Sequence, residues 1–275
     1  MSGPVTDKYC VIGNPIAHSK SPQIHAAYAQ QTGQDLSYER CLAPLDGFEA
    51  TVRRLVADGY RGANVTVPFK LEAARLATRL APRAQAAGAV NTLIFADGEI
   101  VGDNTDGPGL VADIVRNAGV PLSDKRILLL GAGGAARGAL LPLLTQNPRQ
   151  IVIANRTLAT AQQLVADFAS HADRLAVSGC ADVEGSFDVV INATSASLAA
   201  DVPPVPASIF GPGVLALDMM YGKEPTVFMA YAARQGAAVR DGLGMLVEQA
   251  AEAFLLWRGV RPDTAGVLAS MRAAR

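Results

Sequence analysis

Cysteine is scarce in this 275-residue sequence, and the three present lie far apart, at Cys10, Cys41 and Cys180. Their spacing does not match a zinc-binding pair, and an odd number does not make a disulfide framework. We therefore expect reduced, partly buried thiols and no metal site.

Net charge is nearly absent as well, because the 24 Lys and Arg residues almost balance the 25 Asp and Glu residues and leave a formal charge of −1. Scattered charges close to balance provide no electrostatic footprint for nucleic acid or for an anionic membrane. A small molecule is the expected partner, with no nucleic acid and no membrane.

Long apolar runs are missing too. Glycine, proline or charge interrupts every apolar run before it reaches the length that spans a bilayer. The first residues, 1–8, lack the apolar core of a signal peptide. These absences predict a cytoplasmic protein.

The most informative feature present is an apolar strand that runs through a glycine turn into a helix, in residues 126–138. Gly131 permits the tight turn, Gly133 lets the backbone approach a pyrophosphate, and Ala136 fills the helix-packing position. A helix beginning near Gly134 would direct its free N–H groups at the phosphates. With a second strand at 150–155, the pattern predicts a dinucleotide site.

The tip of that second strand indicates which dinucleotide. An NAD site usually has Asp or Glu there, whereas a 2′-phosphate requires cations and neutral donors. The sequence reads Asn155-Arg156-Thr157, with no acid. This favours NADP, although a solvated loop arginine is an open alternative for Arg156.

Strand-like and helix-like segments alternate along the chain, which predicts an α/β protein with mostly parallel sheets. The predicted strands are 9–13, 36–42, 62–67, 89–95, 99–101, 126–130, 150–155, 187–192 and 214–218. The predicted helices are 22–32, 47–58, one that begins at Pro68, one after 102–109, one from Gly134, and 245–257. The polar, glycine-rich joint at 102–109 predicts a domain boundary, with a domain at 1–105 and another at 106–244.

Polar clusters follow several strands, where open α/β sheets bind ligands. Ser19 and Ser21, just before a helix, are able to bind a small carboxylate. On these residues alone, a helix cap at Ser21 with Pro22 in the first turn is the simpler interpretation, and His18 is more often structural.

A second cluster combines Asn64 and Thr66, on one face of a predicted strand, with Lys70 in the first turn of the next helix. An ammonium at a helix N-terminus opposes the helix dipole, which marks Lys70 as functional unless it is a surface lysine. Asn91-Thr92 and the segment 102–107, with Asp106, complete the set. The segment 102–107 lacks the ligand spacing of a calcium loop, so we expect no metal there and leave a simple turn as its alternative.

Taken in order, the motifs resemble the shikimate dehydrogenase family over nearly the whole chain. The matching pieces are Gly-x-Pro-x-x-His-Ser-x-Ser-Pro, Asn-Val-Thr-x-Pro-x-Lys, Gly-Ala-Val-Asn-Thr, Asn-Thr-Asp-Gly, Gly-Ala-Gly-Gly-Ala, Asn-Arg-Thr, Asn-Ala-Thr-Ser, Asp-Met-Met-Tyr and Asp-Gly-Leu-Gly-Met-Leu-Val. The resemblance implies NADP-dependent reduction of 3-dehydroshikimate to shikimate, in chorismate and aromatic amino-acid biosynthesis. It implies an N-terminal substrate domain rejoined by C-terminal helices at about 245–275, a Rossmann-type NADP domain, and a cleft between them.

The resemblance also implies residue roles. Lys70 and Asp106 match the family's catalytic pair. The substrate-binding residues would be Ser19, Ser21 and Tyr221 at the carboxylate, Thr66, Asn91, Asp106 and Gln249 at the ring hydroxyls, and Asn64 nearby. The cofactor-binding residues would be Gly131, Ala132, Gly133, Gly134 and Ala135 at the pyrophosphate, Asn155, Arg156 and Thr157 at the 2′-phosphate, and Met219, Gly242 and Met245 at the nicotinamide.

Two positions depart from the family pattern. Ala26 follows His25 where asparagine is common, and Thr160 stands where a second basic residue often assists Arg156. A quinate or broad-specificity quinate/shikimate dehydrogenase that prefers NAD is therefore the alternative. A non-catalytic sensor is a third interpretation, against which the presence of both Lys70 and Asp106 argues. Monomer and homodimer both stay open.

Overall fold

The computed structural model describes residues 6–196 and 201–274. They form two compact units: one contains the chain up to Gly109 together with Leu246–Ala274, and the other contains Leu110–Met245. Both passages of the chain between the units fall within helices, α5 (Asp106–Ala112) and α9 (Leu243–Arg258). A π-helical turn, Asp113–Asn117, follows α5 directly.

The first unit is built on a six-stranded mixed sheet in the order β2-β1-β3-β5-β6-β4. Its strands are β1 (Asp7–Gly13), β2 (Leu36–Leu42), β3 (Tyr60–Val65), β4 (Arg79–Leu80), β5 (Thr92–Ala96) and β6 (Glu99–Asp103). Its further helices are α1 (Ser21–Thr32), α2 (Phe48–Ala57), α3 (Lys70–Leu76), α4 (Pro82–Ala87) and α10 (Ala265–Ala273). Strand β1 pairs in parallel with β2 and β3, whereas β5 is antiparallel to both β3 and β6.

The second unit contains a six-stranded, all-parallel sheet in the order β12-β11-β10-β7-β8-β9. Its strands are β7 (Arg126–Leu130), β8 (Gln150–Asn155), β9 (Leu175–Gly179), β10 (Val189–Asn192), β11 (Leu215–Asp218) and β12 (Ala238–Arg240). The helices α6 (Gly134–Leu144), α7 (Leu158–Asp167) and α8 (Val227–Arg234) connect them. The strand order runs outward from a β7/β10 centre in both directions, which is the doubly wound Rossmann topology.

Burial follows from these topologies. Parallel strands are covered on both faces, so they read as continuous apolar runs, and Ile127–Leu130 in β7 are all fully buried. Strand β2 lies at the edge of its sheet, and each of its residues is half-buried or exposed, with none fully buried.

The predicted strand 62–67 is too long, and the helix predicted from Pro68 begins two residues later. Strand β3 ends at Val65, residues 67–69 form a turn with a cis Val67–Pro68 peptide, and α3 begins at Lys70. Proline supplies no N–H to a sheet ladder, which explains why the strand ends before it. Thr66 therefore lies just beyond the strand rather than on its face.

Other boundaries also shift. The strand predicted at 89–95 begins only at Thr92, and the joint predicted at 102–109 contains the end of β6 and the start of α5. The helix predicted at 245–257 is α9, which starts two residues earlier, at Leu243. The helices α4, α7, α8 and α10 and the strands β4, β9 and β12 were not predicted. Within the described part of the chain, no helix is long and apolar enough to cross a membrane.

Candidate active site

A lysine–aspartate pair lies in the first unit, where α3 and α5 begin. Lys70 Nζ is 2.6 Å from Asp106 Oδ2, and the two side chains are 32% and 25% exposed. Lys70 is the first residue of α3, as the sequence predicts for its first turn, and Asp106 is the first residue of α5. The pair is thus anchored on two helix starts and remains accessible to a ligand.

Asn91 contacts the other oxygen of this carboxylate. Its Nδ2 donates to Asp106 Oδ1 at 2.9 Å, and its Oδ1 accepts from the backbone N–H of Thr105 at 2.8 Å. A backbone N–H can only donate, so this contact fixes which end of the Asn91 amide faces Asp106. Both carboxylate oxygens of Asp106 therefore act as acceptors, one from Asn91 and one from Lys70.

Two fully buried threonines support Asn91 from behind. The Thr92 hydroxyl lies 2.9 Å from Asn91 Oδ1 and 3.2 Å from Thr105 Oγ1. Gln249, on α9, brings its Oε1 to 3.3 Å from both Asn91 Nδ2 and Thr105 Oγ1. A side chain at Gly109 would collide with the Gln249 backbone at 2.7 Å, so this glycine permits α5 and α9 to approach closely.

Asn64 extends the same network along β3. Its Nδ2 donates to the Asn91 carbonyl at 3.2 Å and to Thr92 Oγ1 at 3.1 Å, while its Oδ1 accepts from the Tyr38 hydroxyl at 2.7 Å. Thr66 is held nearby by a backbone hydrogen bond to Ile12. The structure thus brings Asn64, Lys70, Asn91, Asp106 and Gln249 into one connected polar cluster of the first unit.

The loop before α1 contains the two serines. The Ser21 N–H donates to Ser19 Oγ at 3.3 Å, Ser21 is buried, and Ser19 is half-buried. The predicted helix cap at Ser21 is wrong, because Ser21 is already the first helical residue and the cap position belongs to Lys20, without a side-chain cap bond. Pro22 does stand in the first turn, as predicted. The Ser21 hydroxyl is therefore not used as a helix cap.

His25, one turn into α1, is packed among aromatic rings. Its ring stacks on Tyr38 with centroids 4.1 Å apart, and it is 1% exposed. Neither nitrogen has a geometrically sound hydrogen bond within the described residues. Burial lowers the pKa of His25 to about 3, against a smaller opposing influence of Asn64. The neutral ring supports Tyr38 from one side.

The glycine turn of the second unit has the predicted form. Gly131 adopts a positive φ of 102°, which side chains disfavour, and follows β7. Gly133 is the cap residue of α6, without a side-chain cap bond, and a Cβ at Gly133 or Gly134 would meet no atom within 4 Å. The space beside Gly133 and Gly134 is thus open and no side chain caps the start of α6, which fits a pyrophosphate against Gly131, Ala132, Gly133, Gly134 and Ala135.

Beyond β8, the chain presents a cation without an acid. Asn155 Nδ2 donates to the Thr157 carbonyl at 2.9 Å, which shapes the turn around the exposed Arg156. In residues 6–196 and 201–274 no carboxylate lies within 4.0 Å of the Arg156 guanidinium. An uncompensated guanidinium with no acid at the strand tip suits a 2′-phosphate.

The residues predicted at the nicotinamide lie at the end of β11 and the start of α9. A Cβ at Gly242 would collide with the Met219 carbonyl oxygen, and Gly242 N–H donates to Met220 O at 3.0 Å. Gly242 and Met219 are therefore in direct contact, and Met245 follows in α9. Tyr221 is 36% exposed and belongs to this second unit.

The cysteines are free thiols: Cys10 and Cys180 are buried, and Cys41 is half-buried. Among the described residues, no group of three or more His, Cys, Asp and Glu side chains is arranged to hold a metal ion.

Family models match three parts of the chain. They are the shikimate dehydrogenase substrate binding domain at residues 11–93, shikimate/quinate 5-dehydrogenase at 113–200 and the shikimate 5′-dehydrogenase C-terminal domain at 242–272. Shikimate dehydrogenase (NADP(+)) of Herminiimonas arsenicoxydans is 64% identical over 98% of each chain. The chain belongs to the shikimate dehydrogenase family.

Solved structures agree with this membership. The crystal structure of an enzyme from Pseudomonas putida is 52% identical, with a TM-score of 0.93 over 96% of this chain and 97% of that one. Shikimate 5-dehydrogenase from Thermus thermophilus, in complex with NADP(H) and shikimate, is 33% identical, with a TM-score of 0.86 over 98% of this chain and 100% of that one. The predicted fold class, with two α/β domains of which one is of the Rossmann type, is confirmed.

Sequence reasoning did not find Tyr38 and Arg40 on β2, or the buried position of His25. Alternation along the predicted strand 36–42 places Tyr38 and Arg40 on one face, and this was the available signal. That face is the one that contacts Asn64 and the serine loop.

Proposed function

We propose that this chain catalyses the reversible, NADP-dependent reduction of 3-dehydroshikimate to shikimate, a step of aromatic biosynthesis. The observation that carries this function is the Lys70–Asp106 pair, held at 2.6 Å beside Asn91 in a chain of the shikimate dehydrogenase family. The first unit would be the substrate domain and the second the dinucleotide domain, with a boundary near 105/106 and a return to the substrate domain at about 245.

Lys70 is the group that we assign as proton donor. When bound, NADPH would supply the hydride for the carbonyl carbon, so the chain's own residues would have to provide a proton to the carbonyl oxygen as negative charge grows there. Lys70 Nζ lies 2.6 Å from Asp106 Oδ2 and Asn91 Nδ2 lies 2.9 Å from Asp106 Oδ1, so the lysine is fixed in place to deliver a proton to the substrate oxygen. Asp106 would hold the ammonium and a ring hydroxyl in place, and Asn91 would hold Asp106.

The remaining polar groups of the first unit would bind the substrate. Ser19 and Ser21 suit a carboxylate, because the Ser21 hydroxyl does not cap α1 and the loop lies at the start of that helix. Thr66, Asn91, Asp106 and Gln249 would contact the ring hydroxyls beside Asn64. Tyr221 would also bind the carboxylate.

The second unit fits NADP. The uncapped start of α6 would bind the pyrophosphate, and the turn of Asn155, Arg156 and Thr157 would bind the 2′-phosphate. Met219, Gly242 and Met245 would lie at the nicotinamide.

Steady-state turnover tests this function directly. The purified protein is assayed with shikimate and with quinate, each with NADP and with NAD. We expect the highest kcat/KM for shikimate with NADP. A higher value for quinate, or a higher value with NAD, would instead identify a quinate or NAD-preferring enzyme.

We propose further that the enzyme works in the cytoplasm, as a monomer or a homodimer. The free thiols are consistent with a reducing compartment. Cell fractionation checks the compartment, and sedimentation analysis of the purified protein checks the assembly.

A further inference from the structure

Arg40, on the edge strand β2, forms hydrogen bonds to the backbone of the loop that contains Ser19 and Ser21. Its Nε and Nη2 both donate to the Ser19 carbonyl oxygen, at 3.1 and 2.5 Å. The guanidinium fork therefore holds Ser19, whose hydroxyl in turn accepts from the Ser21 N–H at 3.3 Å. A single side chain thus contacts the loop two residues before α1 begins.

Tyr38, two residues earlier, supports the same region. Residues two apart in a strand face the same side, so Tyr38 and Arg40 project from one face of β2. The Tyr38 hydroxyl donates to Asn64 Oδ1 at 2.7 Å. One face of this edge strand therefore positions both the serine loop and Asn64.

The Arg40 charge is not compensated by the protein. Within residues 6–196 and 201–274, no carboxylate oxygen lies within 4.0 Å of its guanidinium, and Nη1 has no partner. By contrast, Arg53 on α2 of the same unit pairs with Glu49 at 2.6 Å. The serine loop consequently has a net positive neighbour, although the two hydroxyls themselves carry no charge.

We propose that Arg40 is a positioning residue for the carboxylate end of the substrate, and that its charge makes the serine loop selective for an anion. This inference rests on the proposed function, because it requires shikimate to enter through Ser19 and Ser21. Arg40 acts through the Ser19 carbonyl and through its field, without taking part in hydride or proton transfer. Since the side chain is exposed, water weakens that field and limits the effect.

The test compares a charged and an uncharged substrate. Arg40→Gln, Arg40→Lys and the matched control Arg53→Gln are assayed with shikimate and with shikimate methyl ester, whose carboxylate charge is removed. For Arg40→Gln we expect a KM for shikimate raised by about tenfold, with kcat changed less than about twofold. The KM for the ester should change less than about threefold, because the ester has no charge for Arg40 to attract.

The other variants sharpen the outcome. Arg40→Lys should recover part of the shikimate KM, because it restores the charge without the two-pronged grip, and Arg53→Gln should match the wild type. An equal rise in KM for acid and ester, or a fall in kcat alone, would overturn the inference. If wild-type protein turns over shikimate and Arg40→Gln does so with the same KM, the inference fails while the function stands; absence of wild-type turnover would remove the function itself.

Discussion

At the scale of single residues, the Lys70–Asp106 pair is the arrangement with the sharpest chemical consequence. Each member holds the other, and Asn91 holds Asp106, so removal of either side chain disturbs both. Groups that act as one unit lose activity in a strongly non-additive way.

We therefore predict that Lys70→Ala lowers kcat by about a hundredfold or more, the usual contribution of a positioned proton donor, while NADP binding is nearly unchanged. Asp106→Asn should also impair turnover. In the double variant the loss should be far smaller than the product of the two single losses. Stopped-flow or steady-state kcat and an NADP titration provide the measurement, and near wild-type kcat in Lys70→Ala would rule out the assigned proton donor.

We propose that a single residue, Arg156, also decides the cofactor preference. Since Thr160 supplies no second cation, this one guanidinium should dominate recognition of the 2′-phosphate. Arg156→Ala should weaken NADP binding by about 1.5–3 kcal/mol, the range for hydrogen bonds to charged groups, and leave NAD almost unaffected. The ratio of kcat/KM for NADP to that for NAD, with shikimate saturating, reports the change. An unaltered ratio would assign the phosphate to another residue.

The positions of site residues could be predicted from the sequence where local backbone rules constrain them. Gly131, with its positive φ, and Lys70, at a helix start, were found because turn and dipole rules act locally. Arg40 and Tyr38 escaped prediction because their partners, Ser19 and Asn64, are remote in sequence. Their importance depends on how β2 packs against the serine loop, which no local pattern contains.

At the scale of elements, partly buried ion pairs join the C-terminal helices to the rest of the first unit. Glu248, on α9, has a fully buried side chain that accepts from Arg261 Nη2 at 3.2 Å and from the Thr264 hydroxyl at 2.6 Å. Arg261 also pairs with Glu252 at 2.6 Å, and Glu252 accepts from Arg83 of α4 at 2.9 Å. These ion pairs thus connect α9 and the segment before α10 to α4.

Removal of one partner from such a network leaves the other charge buried without compensation, so its desolvation is no longer offset by an ion pair. Arg261→Met should destabilise the first unit by about 3 kcal/mol, in the range measured when a buried pair is broken. Arg272→Met, at an exposed position on α10, is the matched control and should change stability by less than about 0.5 kcal/mol. Urea unfolding followed by Trp257 fluorescence measures both, and equal midpoints would show that the network contributes nothing.

Element prediction failed where tertiary contacts set the boundary. The strand predicted at 89–95 begins at Thr92, because the residue before it is drawn into the polar cluster: the Asn91 carbonyl accepts from Val65 and Asn64, and its side chain from Thr105. The short strands β4 and β12 have too few residues for a periodic pattern. Longer apolar strands such as β7 were predicted correctly, because burial on both faces requires a continuous apolar run in the sequence.

At the scale of the whole molecule, stability should depend on pH through His25. The unfolded chain takes up a proton on this residue near the ordinary pKa of about 6.5, whereas the folded chain does so only near pH 3. Between these values the unfolded state binds more protons, so the free energy of unfolding falls as pH falls. Full stability is present above about pH 6.5 and is lost progressively below it.

We expect protonation of His25 in the unfolded chain to lower the free energy of unfolding by about 2 kcal/mol between pH 7.5 and 5.0, since one pKa unit corresponds to about 1.4 kcal/mol. His25→Phe keeps a ring against Tyr38 and removes the titration, so it should lose correspondingly less over the same interval. Urea unfolding of both proteins at the two pH values gives the comparison. Parallel losses in wild type and variant would place the acid sensitivity elsewhere.

The order in which the chain is made has a consequence for the discontinuous first unit. Residues 110–245 form one uninterrupted stretch, so the nucleotide-type unit is complete on the ribosome while translation continues. The other unit begins earlier yet lacks α9 and α10, with Gln249 and the Glu248–Arg261 pair, until residues 246–274 have been made. The part of the chain that emerges first, up to residue 109, is therefore the last to complete its fold, because the Tyr28 hydroxyl donates to the Val247 carbonyl, 219 residues downstream.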